Sequence, residues 1–298
     1  MSEVFRTPDE RFDDLSAYSW EPSYRELTGE LRGLRMHFVE EGEGKPIVLV
    51  HGEPTWAYLY RKMIPLLAQG SRVIAPDFVG FGRSDKPTER DWYSYGRHVQ
   101  ALGQLVDELD LKDFTVVVQD WGGPIGLRVA LERWERCRAL VILNTGVFRP
   151  GPKWPTPGFL AWRNFAESNP DLPVGFVIQG ATSTDLSEDV IAGYEAPFPN
   201  AESKAGAAAF PLLVPLEETD PGAASMLEVR EELTRWDKPA LVAFSDQDPI
   251  FPQDAGLRLS ERIPGAVDFV GVNGASHFLQ EDKGEEVAGA IARFLEQV

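Results

Sequence analysis

Asp120, Asp248 and His277 each follow an apolar run that reads as a buried strand. The run Val116-Val117-Val118-Gln119 stops at Asp120, and Trp121-Gly122-Gly123 leads into a helical pattern from Pro124. An aspartate at the tip of such a turn needs no base for its own attack, because its carboxylate is ionised at neutral pH. Attack on a saturated carbon displaces a leaving group and gives an alkyl-enzyme ester. Water must then cleave that ester. His277, in Gly274-Ala275-Ser276-His277-Phe278 past the last strand, is suited to deprotonate the water. Leu241–Phe244 ends in Ser245-Asp246-Gln247-Asp248-Pro249, which offers two acids to orient the histidine. Asp246 is nearer the strand. Asp248 precedes a proline, which suits a loop residue held extended, and it is the acid expected here. The ester's oxyanion needs donors. The backbone N–H groups of Trp121, after the nucleophile, and Glu53, in His51-Gly52-Glu53-Pro54, are the candidates, each worth about 3 kcal/mol of barrier.

An aspartate before a helix is also a common N-cap. The ordered acid and histidine favour chemistry over capping. His37 lies inside a strand run and His98 inside a helical run, so both are assigned to packing.

These residues must be held by a scaffold. Strand runs fall at Arg35–Glu40, Pro46–Val50, Arg72–Pro76, Thr115–Gln119, Ala139–Leu143, Ala240–Phe244 and Val267–Val270. Helical patterns lie between several of them, at Trp56–Ala68, Tyr95–Leu109, Pro124–Trp134, Gln253–Ile263 and Glu285–Gln297. Continuous apolar strands alternating with helices imply a mostly parallel sheet covered on both faces, an α/β fold. Ligands bind such sheets beyond the carboxyl ends of the strands. From about Thr145 to Asp237 the rhythm breaks. Prolines and glycines crowd Phe148–Gly158, and helical patterns follow at Phe159–Glu167, Glu188–Tyr194 and Met226–Trp236. The expected organisation is a core of residues 1–144 and 238–298, with a helical cap of residues 145–237 inserted between two strands.

Composition narrows the partners. The 298 residues carry a formal charge of −18, which opposes nucleic acid and anionic lipid. One cysteine, Cys137, excludes an internal disulfide. The N-terminal stretch has no signal-peptide core and no run is long enough to span a bilayer, so a soluble, cytoplasmic protein is expected, monomeric or weakly dimeric. Histidines are too few for a metal cluster, and no phosphate loop or dinucleotide fingerprint is present. No cofactor is expected.

The turn at Asp120 resembles the nucleophile elbow of α/β-hydrolases, with aspartate where serine usually stands, and Asp120…Asp248…His277 follows that fold's nucleophile–acid–histidine order. More specifically, the chain resembles haloalkane dehalogenases whose triad acid follows the strand after the cap. The resemblance runs almost end to end. Its motifs are His51-Gly52-Glu53-Pro54-Thr55-Trp56, the stretch from Asp77 through Gly80-Phe81-Gly82 to Pro87, and Gln119-Asp120-Trp121-Gly122-Gly123. Further on come Gly158-Phe159-Leu160-Ala161-Trp162, Ala196-Pro197-Phe198-Pro199 and Gly274-Ala275-Ser276-His277-Phe278-Leu279-Gln280-Glu281. It implies hydrolysis of a small halogenated alkane by water, releasing a primary alcohol, a halide and a proton. It implies two indole N–H donors for the halide, Trp121 and the cap's Trp162, with Trp154 as fallback. The chemistry is sound: a halide leaves without a proton but needs its charge stabilised, and an indole N–H is a donor only. The resemblance also places Phe159, Phe210, Pro211, Val214, Ile250 and Phe251 around the substrate. Pro124 departs from the bulkier residue usual near the elbow, which leaves substrate size open. Val118 stands where serine-type elbows carry glycine.

Three other readings compete. An epoxide hydrolase would use the same triad, but its alkoxide leaving group needs acid assistance, commonly from two cap tyrosines. The cap holds one, Tyr194. A fluoroacetate dehalogenase would need an arginine where Trp121-Gly122 stand. A non-catalytic binding protein on this fold would not require the triad.

Overall fold

The computed structural model describes residues 3–147, 151 and 154–298. A short antiparallel pair joins β1 (Val4–Phe5) to β6 (Lys86–Pro87). The main sheet comprises β2 (Ser23–Glu26), β3 (Arg35–Glu41), β4 (Lys45–Val50), β5 (Ser71–Pro76), β7 (Phe114–Gln119), β8 (Cys137–Leu143), β9 (Ala240–Ser245) and β10 (Ala266–Val272). Their order across the sheet is β10-β9-β8-β7-β4-β5-β3-β2. All neighbours from β10 to β5 run parallel, and β3 is antiparallel to both β5 and β2.

This order explains where a site can form. From β4 the chain continues to β5 on one side and, after α2 (Tyr95–Glu108), to β7 on the other. The carboxyl ends of β4 and β7 therefore flank a switch point, where loops diverge and leave a crevice. Their register pairs Val48 with Val116 and Val50 with Val118. The side chains of Val116, Val117 and Val118 are almost fully buried. Burial of each contributes roughly 1.5–3 kcal/mol, so the platform beneath the crevice is rigid.

α1 (Ile64–Leu67), α2, α3 (Gly122–Glu132), α9 (Gln253–Ser260) and α10 (Leu279–Leu295) accompany the sheet. Ser94 caps α2 by accepting from the Arg97 N–H. Between β8 and β9 the described residues form no strand. They form α4 (Pro157–Ser168), α5 (Val174–Gly180), α6 (Glu188–Glu195), α7 (Ala205–Leu213) and α8 (Ala223–Leu233). α4 starts where the sequence dictates: the Thr156 hydroxyl accepts from Phe159 N–H, and Pro157 occupies the first turn.

Several elements differ from the pattern-based reading. Trp56–Ala68 is not one helix; Ala57–Tyr60 is a single 3₁₀ turn and only Ile64–Leu67 is α-helical. Four consecutive side chains from Ala57 to Tyr60 are all buried, so no solvent face selects the 3.6-residue period. α10 begins at Leu279 and bends at Lys283, whose φ/ψ of −139°/37° is not helical. The small strands β1, β2 and β6 and helices α5 and α7 carry too little periodicity to be read. Residues 148–150 and 152–153, within the proline- and glycine-rich stretch, lie outside the described residues.

The N-terminal segment crosses the molecule. Beyond the β1–β6 pairing, Arg6 makes two hydrogen bonds to the buried Asp85 carboxylate at 2.8 and 2.9 Å. Thr7 Oγ1 donates to Pro197 O (2.7 Å) and Arg11 Nε to Ala196 O (3.2 Å), both just past α6.

Candidate active site

Asp120 ends β7 and adopts φ +49°, the left-handed region that a non-glycine residue enters at a cost of order 1–3 kcal/mol. Its backbone is held from β8: Asp120 N–H donates to Asn144 O (3.0 Å), and Thr145 Oγ1 donates to Asp120 O (2.6 Å). The neighbouring loop approaches closely. A Cβ added at Gly52 would lie 2.4 Å from Asp120 Cβ, so only glycine lets the loop pass. That approach brings Glu53 N–H to 2.9 Å from Asp120 Oδ1. Burial pushes the Asp120 carboxyl above the ordinary value, and His277 with the N–H groups of Glu53 and Trp121 draws it back. The two expected oxyanion donors thus meet at one carboxylate.

His51 holds this loop. Its Nδ1 bonds Gly52 O (2.8 Å) and its Nε2 accepts from Phe78 N–H (2.9 Å). Burial lowers its pKa to about 4, so the ring is a neutral strut. His37 bonds Asp77 (2.7 Å), whose carboxylate also takes the Ala57 and Arg83 N–H groups. The Asp77–Pro87 motif therefore builds scaffold. His98 lies among Phe78, Trp92, Tyr93 and Phe210. The assignment of both rings to packing agrees with these contacts.

His277 Nδ1 lies 2.9 Å from Asp248 Oδ2, and Nε2 lies 3.7 Å from Asp120 Oδ2. Asp248 is itself fixed, since its Oδ1 accepts from the N–H groups of Ile250 (2.7 Å) and Phe251 (3.0 Å). Asp246 points elsewhere: it is exposed and accepts from Gly274 N–H. Burial lowers the affinity of His277 for a proton, but Asp248 and then Asp120 outweigh it and leave its pKa raised.

Trp121 is 7% exposed, and its ring packs edge-on against Phe210 at 5.1 Å. The other two buried indoles, Trp56 and Trp236, donate to Gly193 O and Pro239 O. The Trp121 indole N–H has no acceptor among the described residues. The same holds for Trp162, half-buried on α4 and stacked on Phe165. The indole N–H of Trp154, the fallback donor, instead donates to Pro215 O (3.0 Å).

Of the six expected pocket residues, Phe210 touches Trp121 and Phe251 stacks on His277 (5.8 Å, 27°). Phe159 is buried against Trp154. Ile250 donates its backbone N–H to Asp248 Oδ1. Pro211 is buried within α7, and its carbonyl accepts from Arg163. Val214 lines an open cleft of about 260 Å³ with Ser94, Tyr95 and Arg163.

Pattern reading missed a polar lattice behind the triad. Asn144, fully buried at the end of β8, offers its amide N–H groups to Ser245 Oγ, Ser276 O and His277 O (2.7–3.1 Å) and accepts from Ser245 N–H. Its next neighbour Thr145 holds Asp120, so one dipeptide ties the nucleophile turn to the histidine loop. The available signal was the abrupt change to Asn-Thr after an apolar strand. Gln119 also reaches His277. Tyr194, the lone tyrosine between β8 and β9, donates to Glu281 (2.7 Å) in a buried cluster with Arg61 and is committed there.

A strained acidic elbow with facing backbone donors and a following acid–histidine pair defines an α/β-hydrolase. The sequence profile of the alpha/beta hydrolase fold matches residues 45–187. The chain is 47% identical to a haloalkane dehalogenase of Mycolicibacterium paratuberculosis over 97% of both proteins. It is 49% identical to haloalkane dehalogenase 1 of Mycobacterium tuberculosis over 96% of both. The structure superposes on the haloalkane dehalogenase DpaA of Paraglaciecola agarilytica, described as tetrameric, with TM-score 0.92, 35% identity and 97% coverage of each chain. This chain belongs to the haloalkane dehalogenase family and hydrolyses carbon–halogen bonds of haloalkanes. Among the described residues no group of side chains could hold a metal ion, and no helix is long and apolar enough to cross a membrane.

Proposed function

We propose that Asp120 is the nucleophile of this hydrolysis. One carboxylate oxygen attacks the halogen-bearing carbon, the carbon–halogen bond breaks with its electron pair, and the halide departs toward the N–H groups of Trp121 and Trp162. The ester carbonyl of Asp120 then takes a water oxygen. His277 accepts the water's proton through Nε2, and Asp248 stabilises the imidazolium through Nδ1. The N–H groups of Glu53 and Trp121 hold the oxyanion. Collapse releases a primary alcohol and regenerates the carboxylate; the proton leaves to solvent. Residues 145–237 act as a cap over this chemistry, and Phe210 and Phe251 border the alkyl group.

The observation that carries this reading is the Glu53 N–H bond to Asp120 Oδ1 with the His277–Asp248 pair behind the other oxygen. A single turnover in ¹⁸O-water tests it. The alcohol should carry unlabelled oxygen and the peptide containing Asp120 should gain the label; label in the first-turnover alcohol would mean direct attack by water.

The committed hydroxyl of Tyr194 weighs against epoxide opening. A cytoplasmic location and a monomeric or weakly dimeric state complete the proposal. Light scattering at micromolar concentration checks the assembly, and a stable tetramer, as in the Paraglaciecola protein, would replace it.

A further inference from the structure

We propose that Gln119 is a positioning residue that keeps the His277 ring neutral, with an unprotonated Nε2, while the enzyme awaits substrate. Gln119 ends β7, one residue before the nucleophile, and is fully buried. Its Nε2 lies 3.2 Å from His277 O and 3.1 Å from His277 Nε2. The backbone carbonyl can only accept, so it fixes the amide with its NH₂ toward the histidine. The second amide hydrogen then points at the ring nitrogen. An N–H facing another N–H would repel it; facing a lone pair, it forms a hydrogen bond. The arrangement is therefore consistent with one tautomer, Nδ1–H toward Asp248 and a lone pair on Nε2. Gln119 Oε1 is buried without a partner. The amide forgoes satisfying its own acceptor in favour of both contacts to His277.

The surrounding charges make such a counterweight useful. Asp248 from the loop after β9 and Asp120 from the β7–α3 turn both face the ring and favour imidazolium. Phe251 and Phe278 pack on it without charge. Glu53 stands against Asp120, and Asp282 on α10 is bonded to Ser276 N–H. A hydrogen bond to the neutral form disfavours the charged one, and Gln119 is the group that supplies it. Water that later takes its place meets a ring whose Nε2 is still empty.

This inference rests on the reading of His277 as the base. The experiment separates the two. The chain has four histidines, so ring titrations are resolvable by NMR in the full-length free protein, with His277 assigned by its loss in His277→Phe. In Gln119→Leu the His277 midpoint should rise by about half a unit to one unit, a three- to tenfold change in protonation ratio. In Gln119→Glu, whose carboxylate accepts from imidazolium, it should rise further. The acid limb of kcat should move up with the ring, so that the loss of turnover is greatest near pH 6 and shrinks toward pH 9. A His277 midpoint unmoved in a folded Gln119→Leu or Gln119→Glu protein overturns the inference, as does a loss of turnover equal at every pH. A wild-type kcat with no acid limb, or an acid limb retained in His277→Phe, would instead overturn the base assignment, and this inference with it.

Discussion

Asp120 Oδ2 stands 3.7 Å from His277 Nε2, so the proposed nucleophile and base are coupled through charge rather than through a hydrogen bond. The coupling changes during the reaction. In the free enzyme the Asp120 carboxylate helps to raise the pKa of His277. Alkylation neutralises that carboxylate. The ring then loses one of the two charges that favoured its protonation, at the step that needs a neutral base. The sign of the pH dependence follows. Neutral His277 is gained as pH rises through its pKa, so ester hydrolysis should climb with pH, while NMR titration of the free enzyme should give a His277 midpoint above the ordinary histidine value. The midpoint should be lower when the alkyl-enzyme is measured by single-turnover hydrolysis. Equal midpoints in both states would mean that Asp120 exerts no influence on the ring.

His277→Phe removes the base and spares the nucleophile. One equivalent of halide should be released, followed by steady turnover slower by about 10²–10⁴-fold. Mass spectrometry should find an alkyl adduct on Asp120. An adduct elsewhere, or none after halide release, would reassign the nucleophile.

The two acids after β9 have different partners and should respond differently. Asp248→Asn removes the acceptor for His277 Nδ1 and should lower kcat by about 10³–10⁴-fold, because the wrong tautomer is then favoured. Asp246→Asn disturbs an exposed turn contact to Gly274 and should cost less than about tenfold. The reverse order in steady-state rates would move the acid to Asp246.

Bromide affinity discriminates among the indoles. Trp121→Phe and Trp162→Phe should each weaken binding by about 10–100-fold, the loss of one charge-assisted N–H donor. Trp154→Phe should change it little, since that N–H already serves Pro215 O. Titration of intrinsic fluorescence with bromide reads all three. A strong effect confined to Trp154→Phe would return the halide to the fallback site.

Arg61 forms a buried bidentate pair with Glu281 (2.6 and 2.8 Å), four residues beyond the base. Burial raises the Glu281 carboxyl, but Arg61, Lys62 and Tyr194 prevail and its pKa is lowered. Arg61→Met leaves the Glu281 carboxylate with only Lys62 and Tyr194 as side-chain partners and should destabilise the fold by about 1–3 kcal/mol, a fall in Tm of roughly 2–10 °C. Adding Glu281→Leu should recover part of that loss. No difference between the single and double variants in thermal unfolding would show that the under-paired Glu281 carboxylate is not the source of the loss.

The sheet and the triad were legible because buried parallel strands are written as continuous apolar runs. Asp120, Asp248 and His277 were visible where such runs end. The order of the three residues needed no knowledge of tertiary contacts. Edge elements were not legible: Ser23–Glu26 and Val4–Phe5 are stabilised by pairing with β3 and β6, and no pattern announces a partner. Gln119, Asn144 and Thr145 escaped for a similar reason. Each is a common polar residue whose role exists only once three strand ends converge. Trp162 was suggested by resemblance; its unpartnered N–H agrees with a donor role, whereas the bond from Trp154 to Pro215 O could not have been inferred.

Arg6, Thr7 and Arg11 act as a suture. By engaging Asp85 through Arg6, and Pro197 and Ala196 through Thr7 and Arg11, they stitch the start of the chain to the loop before β6 and to the segment after α6. Protein engineers who trim this end, or fuse a bulky partner to it, would loosen the seam between sheet and helices. Modifications at the opposite terminus would leave that seam intact.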